Sequence, residues 1–572
     1  MATIIGKKKG NQTYFYVVTS ARVDGKPRIT HQTYLGTAER LAQLVRDKAA
    51  PVPLEATARA AGLPAALWQA ARLSGAFEAL LSVWPAPRRG PSLPHFLLLA
   101  AFHRICAPGP KTEVADWYRH SVLPDLWGFA PSHFSSQAFW DRFDSIAVSD
   151  ALSESRPDQL ERAQLALLRA FRERDLVSRR VLAYDTTNFP TWIASSNTRN
   201  RLAQRGHSKQ KRHDLRQVGL SYALDAQHGL GLCHHLYPGH LTDRDALPAS
   251  LGRITRLLDG AGIPRATVTL VLDKGSAALA NTLELQASGL GWIAALPWSQ
   301  APQALRARPL AELEPLAGEP GVRVGATRSL VHGAEYLGVL RHSAGYAAEQ
   351  FHSVGTSLAK ATQKLRALAR EVCRPHDRHS ERGLHNRIAR WLRPNFVADV
   401  LGYELEQAAD GSWEIRFAVD ADALQRLLRE RFGRTTLVTN RLDWTAAQVA
   451  AAYSGQQHVE QVFRGLKGGE WLGWGPLHHW TDSKIRVHAF YCLLGVSLLQ
   501  YLHRQAQAVW PTLTMEGLKH ELGQIQRIDL LYPRQGEKGP PRAATVTSKQ
   551  TLTQTALVAA LQLDELLHTA GR

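Results

Sequence analysis

Hydrophobic and polar positions in this chain follow two periods, and one stretch carries both an apolar arc and a polar edge. From Ala446 to Lys467 the sequence reads AAQVAAAYSGQQHVEQVFRGLK. At about 100° per residue, Val459, Val462, Phe463 and Leu466 share one apolar arc, which predicts a single amphipathic helix. Tyr453, Gln456, Glu460 and Lys467 form a stripe about 60° wide beside it. Solvated faces carry such groups opposite the core, and pure core faces leave them out. A phenol, an amide, a carboxylate and an ammonium along the edge of a buried face therefore ask for another use. The plainer alternative is a rim whose long side chains snorkel.

Residues 12–36 alternate with the period of a strand: Tyr14, Tyr16 and Val18 on one face, VDGKP as a turn, then a return strand to Gly36. From about Ala38 to Asp175 apolar positions recur at three and four, which predicts helices punctuated by prolines. Ser132 and the Ser135-Ser136 pair are N-cap candidates before Gln137–Phe143. The texture changes at Ser178. A short β run, Val181 to Tyr184, ends in Asp185, and a basic loop from Arg199 to Arg216 follows. QVGLSYALD and GLGLCHHLYPG read as a hairpin, residues 245–259 as a helix, and ATVTLVLDKG as a buried strand ending in Asp273. After Pro297, VRVGATRSLVHG, EYLGVLRH, FVADVLGYELE and WEIRFAVD read as strands of a β-rich insertion, with a basic helix at Ser357–Arg374 among them. TTLVTN is one more strand before the opening helix, residues 483–504 form an apolar helix, and the Gly- and Pro-dense stretch 536–542 reads as loose.

Composition narrows the partners. The 572 residues imply several compact units, and 44% hydrophobic against 21% charged residues describes a globular chain. Lys and Arg exceed Asp and Glu by 69 to 50, a formal charge of +19, which favours a polyanion. Cys106, Cys233, Cys373 and Cys492 are scattered with no CxxC pair, which argues against a zinc finger, an Fe–S site or a disulfide framework. MATIIGKKKGNQ has no apolar core of a signal peptide, and the apolar run near Phe490–Leu502 is short for a bilayer, so the expected location is the cytoplasm. The basic loop, with seven Arg or Lys against Asp214 alone, suits a DNA groove better than a bare solvated surface. The adjacent pairs His234-His235 and His478-His479 would point to opposite faces of a strand and make poor shared metal sites.

Three acids then stand out by position: Asp185 and Asp273 at the ends of β runs and Glu460 on the helical stripe. Carboxylate oxygens are the ligands of hard divalent cations. Two such ions about 3.5–4 Å apart activate a water or 3′-hydroxyl and stabilise the leaving oxygen in phosphoryl transfer.

The spacing Tyr453-x2-Gln456-x3-Glu460-x6-Lys467 resembles the Y-R-E-K signature of Asp-Asp-Glu transposases, the bacterial insertion-sequence enzymes of the group called insertion sequence four. Asp185-Thr-Thr is similar to that family's first-aspartate motif, GHSKQKRHDLRQVGLSYALDAQHGLGLCHHLYPGHLTD to the segment after it, VLDKGSA to the second-aspartate motif and TTLVTN to the strand before the signature. Arg22-x-DGK-x-Arg28 also resembles many members. The resemblance implies an α/β fold: an RNase H-like mixed-sheet core, of the retroviral integrase superfamily, interrupted by a β-rich insertion and preceded by a mainly helical region. Residues 1–55 would be a β-hairpin region, 56–177 a helical DNA-end-binding region, 178–300 and 431–505 the two parts of the core, 301–430 the insertion and 506–572 a helical C-terminal region.

By position, the resemblance makes Asp185, Asp273 and Glu460 the ligands of two Mg2+ ions, with Mn2+ as a substitute. Tyr453, Gln456, Arg464, Lys467, Lys209, Lys211 and Arg212 become the DNA-binding residues. The signature's arginine is Gln456 here, which brings no charge and no bidentate fork, so Arg464 or the basic loop would have to compensate. Trp298, Trp391 and Trp413 are candidates to stack on a flipped base. The implied function is a transposase that binds the inverted repeats of its own element as a homodimer or larger synaptic assembly. It would cut the ends of double-stranded DNA and join the 3′-OH ends to a target, working at the nucleoid. The alternatives are a nuclease of the same core without strand transfer, or an inactive, domesticated DNA-binding protein.

Overall fold

The structure, a computed structural model, describes residues 2–10, 12–23, 26–48, 53–148, 158–178, 180–273, 279–331, 334–374, 378–533 and 542–568. The expected hairpin is part of a three-stranded antiparallel sheet of β1 (Ala2–Lys9), β2 (Gln12–Val23) and β3 (Lys26–Thr37), followed by α1 (Ala38–Lys48). Its turn at Asp24-Gly25 lies outside the described residues, as do most of the loose stretch 536–542 and the residues from 274 to 278 of the second-aspartate motif.

β4 (Glu55–Ala60) leads into the helical region: α2 (Gly62–Leu73), α3 (Ala76–Val83), α4 (Leu93–Cys106), α5 (Val114–Arg119), α6 (Leu123–Trp127), α7 (Ser136–Asp144) and α8 (Gln159–Glu173). The Ser135 hydroxyl caps α7 by accepting from the Ala138 N–H at 3.2 Å. These helices do not stand alone. Leu67, Leu98 and Phe102 belong to the same apolar core as Leu182 and Leu270 of the main sheet and Leu494 of the long helix described below.

That sheet contains β5 (Val181–Thr191), β6 (Arg216–Asp225), β7 (Gly231–Pro238), β8 (Thr269–Leu272) and β9 (Gly291–Leu296). β5, β6 and β7 form an antiparallel meander; α9 (Asp243–Gly260) and α10 (Leu279–Ala287) then carry the chain across to β8 and β9, which run parallel to β5. β8 is apolar or β-branched at every position and wholly buried, as a strand covered on both faces must be. The resulting spatial order β7-β6-β5-β8-β9 is an RNase H-like α/β core.

The stretch after Pro297 departs from the expected β-rich insertion. Past α11 (Gln303–Arg306), the strands β10 (Glu314–Pro315), β11 (Val322–Val331) and β12 (Ala334–Ser343) extend the main sheet. β12 pairs with β15 (Arg434–Thr439), which pairs with β9. The apolar face of β12, Leu337 and Val339, packs with Val271, Ile293 and Leu437, so these strands satisfy both backbone and side chains by joining the core. What projects from the sheet is mainly helical: α12 (Ala344–Val372), α13 (Glu381–Leu392), α14 (Val397–Val400), a ribbon of β13 (Leu401–Gln407) and β14 (Trp413–Val419), and α15 (Ala421–Glu430). It has its own core around Leu365, Leu384, Ile388 and Trp413.

After β15 come α16 (Ala446–Ser454), α17 (Gln456–Gly468) and α18 (Asp482–Gln507). By length and composition α18 could cross a membrane, but its apolar window is fully buried inside the protein. The C-terminal region is not purely helical: α19 (Met515–Gly523) is followed by β16 (Gln526–Tyr532) and β17 (Arg542–Thr547), then by α20 (Leu552–Ala560) and α21 (Asp564–His568). β16 pairs with both β17 and β4, joining the C-terminal region to residue 55 onward. Arg59 reinforces that sheet by bridging Asp125 at 2.7 Å and Asp529 at 2.6 Å. β4 alternates Glu55, Thr57 and Arg59 with alanines, small side chains that favour helix as well, so its apolar signal is faint and its long-range partner is invisible to local pattern.

Candidate active site

Register decides the positions of the two aspartates. β5 and β8 pair in parallel from Val181↔Thr269 to Tyr184↔Leu272, so Asp185 and Asp273 are the next positions on adjacent strands. Neighbouring strands lie about 4.8 Å apart and residues at one level point to the same face. β5 does not end at Asp185. It runs on to Thr191 because β6 continues to pair with it, and Asp185 stands where its parallel neighbour stops.

Asp185 is half-buried, and its Oδ1 accepts the Thr186 N–H at 2.7 Å. Burial pushes its carboxyl up from 3.8 to about 7, with Asp273 and Asp243 adding repulsion and the Thr186 N–H and Lys209 opposing. Lys209 is already engaged: its ammonium donates to the Thr186 carbonyl at 2.8 Å and to Asp243 at 2.9 Å. Asp243, at the start of α9 behind the Thr242 cap, was not singled out from sequence. Its signal was the TDRD run after GHL, one acidic cluster among many before the fold places it beside Asp185.

The opening helix is two helices. They break at Gly455, where an added Cβ would lie 2.6 Å from the Ala226 Cβ, so only glycine lets the chain approach the β6–β7 turn. Val459, Val462, Phe463 and Leu466 are buried as the periodicity predicts. The polar stripe divides. Tyr453 is pushed up by burial and then by Asp273 and Glu460; Glu460 is pushed up by burial and then by Asp273, with Arg464 opposing. Lys467 is pulled down by burial and then by Lys209, with Asp185 opposing. The two aspartates, Glu460, Tyr453, Lys467 and Lys209 thus share one electrostatic neighbourhood.

Gln456 corrects the expectation that it touches DNA. Its side chain is 4% exposed, and its amide donates to the Tyr184 carbonyl at 2.8 Å, tying α17 to β5 directly beside Asp185. A group so enclosed cannot reach a phosphate. Arg464 is exposed and lines a cleft of about 640 Å3 with His458, Gln461 and Trp471. Lys211 and Arg212 lie on the exposed loop, Lys211 with a left-handed φ of 60° and Arg212 forked onto Asp214 at 2.9 and 2.8 Å. Of the tryptophans, Trp298 lies 4.6 Å from the Arg431 guanidinium over a cavity of about 840 Å3. Trp391 lies between Lys364 and Arg387, and Trp413 is core, its N–H donated to the His379 carbonyl.

Among the described residues, no three His, Cys, Asp or Glu side chains gather closely enough to hold an ion. The donor chemistry of the acids still fits a hard cation. Asp273 raises the carboxyls of both Asp185 and Glu460, and with the nearby lysine already bound elsewhere this clustered acidity is what a divalent ion would neutralise. Glu460 would have to close on the aspartate pair.

The sequence matches the family model described as Transposase DDE domain over residues 177–497. The chain belongs to the DDE transposase family. The matched span opens just before β5 and closes within α18, so it takes in both aspartates and Glu460. A solved cryo-EM structure of the piggyBac transposase synaptic complex with hairpin DNA is similar at 8% identity over 80% of this chain and 76% of that one, with a TM-score of 0.34, too slight a likeness to argue from. No curated protein matches. Family membership makes the protein a DNA transposase, an enzyme whose family chemistry depends on divalent metal and whose partner is DNA.

Proposed function

We propose that this transposase is of the insertion-sequence-four kind, that Asp185, Asp273 and Glu460 are its acidic triad, and that it cuts the inverted repeats of its own element and joins the 3′-OH ends to a target. The observation that carries this reading is the register placing Asp185 and Asp273 side by side, with Glu460 coupled to Asp273 from α17. Mg2+ ions, with Mn2+ as a substitute, would supply the charge that activates a water or 3′-hydroxyl and neutralises the leaving oxygen. The chain's own residues do the rest. The three carboxylates would hold the cations. The Tyr453 phenol, kept protonated by burial and the nearby carboxylates, donates to a phosphate oxygen, and Lys467 supplies a cation on the Asp185 side. Gln456 acts as an anchor, so the missing signature arginine is weak support for an inactive descendant. Synapsis of two ends calls for a dimer or larger assembly, working at the nucleoid in the cytoplasm.

The test supplies purified protein with Mg2+ and a labelled duplex carrying the element's end. Nicking at the 3′ end followed by joined products is the expected result, and Asp185→Ala, Asp273→Ala and Glu460→Ala each abolish both while sparing binding. Nicking without joining makes it a nuclease, and binding without nicking makes it the inactive class. A variant that still cuts removes its residue from the triad.

A further inference from the structure

The sheet β1-β2-β3 is unlike the rest of the molecule. Among the described residues, α1 is the element that packs broadly on it. Among the described side chains of the sheet Val18 is the one buried hydrophobic, while Ile4, Ile29 and Tyr34 are each at least half exposed. It is strongly basic: from residue 3 to 43 the sequence has seven Lys or Arg against two acids, Asp24 and Glu39.

The pairing shows how those charges are distributed. On β2, Tyr14, Tyr16, Val18 and Arg22 point one way, and the register adds Lys7 opposite Tyr14, Lys9 opposite Gln12 and Tyr34 opposite Tyr16. Lys7 is held on this face, 5.1 Å from the centre of the Tyr16 ring and donating to the Gln32 amide oxygen at 2.8 Å. The other face takes Lys8 opposite Thr13, Arg28 opposite Ala21 and Lys26 opposite Val23. Both bulges, near Tyr16 and Ser20, place their extra residue in β3, so β2 keeps its alternation and the two faces stay distinct.

A platform lying on a polyanion needs charge on one side. A blade between two polyanionic walls needs it on both. The major groove of duplex DNA is such a slot: about 12 Å wide, flanked by two phosphate strands, and able to admit a β-ribbon. At about 3.4 Å per residue the twelve residues of β2 span roughly 40 Å, a little more than one duplex turn of about 34 Å. We propose that the β1-β2-β3 sheet enters the major groove of duplex DNA, one face against each phosphate strand, and holds the duplex independently of its sequence. Sequence independence follows from the chemistry on offer. Lysines and arginines suit phosphate oxygens, and the amide oxygens of Gln12 and Gln32, groups able to read a base edge, already accept from the Tyr14 hydroxyl at 2.9 Å and from Lys7 at 2.8 Å.

The inference rests on the transposase reading, and its test separates the two. Two full-length variants are made, Lys7→Gln/Lys9→Gln/Arg22→Gln for the tyrosine face and Lys8→Gln/Lys26→Gln/Arg28→Gln for the other. Binding to an end-containing duplex and to an unrelated one is measured between about 50 and 200 mM salt. Each triple should flatten the slope of log K against log salt by about 2–3, near 0.9 per lost phosphate contact, and weaken both duplexes alike. Methyl green, which occupies the major groove, should compete with the wild type, and netropsin, which occupies the minor groove, should not.

A wild type that binds no duplex sinks the transposase reading and this inference with it. A wild type that binds while either triple keeps its slope overturns groove insertion alone, as do competition by netropsin and losses confined to the end-containing duplex. A triple that changes the oligomeric state while leaving the slope intact makes the sheet a contact between copies of the chain.

Discussion

Replacing Asp185 by Asn removes a charge that the fold resists. Burial and the neighbouring Asp273 and Asp243 hold this carboxyl at about 7 instead of 3.8. The difference is about three units, and at about 1.4 kcal/mol per unit it sets a ceiling of roughly 4 kcal/mol on what ionisation costs the folded state. The side chain is only half-buried and Lys209 is close, so solvent screening brings the working figure to about 1–3 kcal/mol. The sign follows from the direction of the shift. Near pH 4 and below, the folded protein holds the proton and the favourable term is at its fullest. As pH rises through the interval from about 4 to 7 the unfolded chain ionises first, the wild type loses stability, and above about pH 7 the loss is complete. Asn does not titrate and escapes the loss. Melting curves in EDTA should therefore nearly coincide for wild type and Asp185→Asn near pH 4, with the variant melting a few °C higher at pH 8, given about 2–4 °C per kcal/mol in sizeable domains. Adding MgCl2 at pH 8 should raise the wild type and leave the variant where it is, a readout independent of cleavage. A variant that melts lower than wild type at pH 8, or a gap that ignores pH, refutes the reasoning.

Three further substitutions separate structural from DNA-facing roles. Gln456→Arg, which restores the signature residue, should destabilise the protein by about 3–5 kcal/mol in urea titrations and slow cleavage, because it places an unpaired charge in a closed site against β5; faster cleavage would return the position to the DNA. Trp413→Ala should cost the insertion about 3–5 kcal/mol, whereas Trp391→Ala, which loses two cation–π contacts and only partial packing on the same core, should cost about 1–2, both read from the denaturation midpoint.

Local periodicity carried the core well. The β6–β7 hairpin, the buried β8, the α9 span and the apolar arc of α17 are short-range patterns, and each forms where its alternation or helical spacing predicts. The failures share one cause, which is that pairing partners lie far away. VRVGATRSLVHG and EYLGVLRH are strands, but only the exposed edge of β15 decides that they extend the main sheet instead of founding a domain. EATARA alternates only through alanines, which suit a helix as readily as a strand, and its partner β16 lies at the other end of the chain. Gly455 breaks the long helix for a tertiary reason, the approach of Ala226, that no helical wheel records. The burial of Gln456 was hidden likewise, because a polar stripe at the edge of an apolar arc reads the same whether it meets a phosphate or a carbonyl.

These placements divide the proposed triad into a fixed part and an adjustable part. Asp185 lies within β5 of a nine-stranded sheet and is held by its pairing with β6, while Asp273 directly follows the last residue of β8 that pairs with β5, so the register brings the two to one level. Glu460 rides on a helix that begins at a glycine break, packs its apolar arc of Val459, Val462, Phe463 and Leu466 into the core, and is tied to β5 by the amide hydrogen bond from Gln456 to the carbonyl just before Asp185. Its carboxylate is coupled to Asp273 but does not complete a three-ligand cluster. In the proposed mechanism, closing that gap is the task of α17, and the Gln456 amide sets where the helix pivots. An arginine there would bring charge to a phosphate; a buried glutamine instead couples the seating of the third acid to the strand that carries the first.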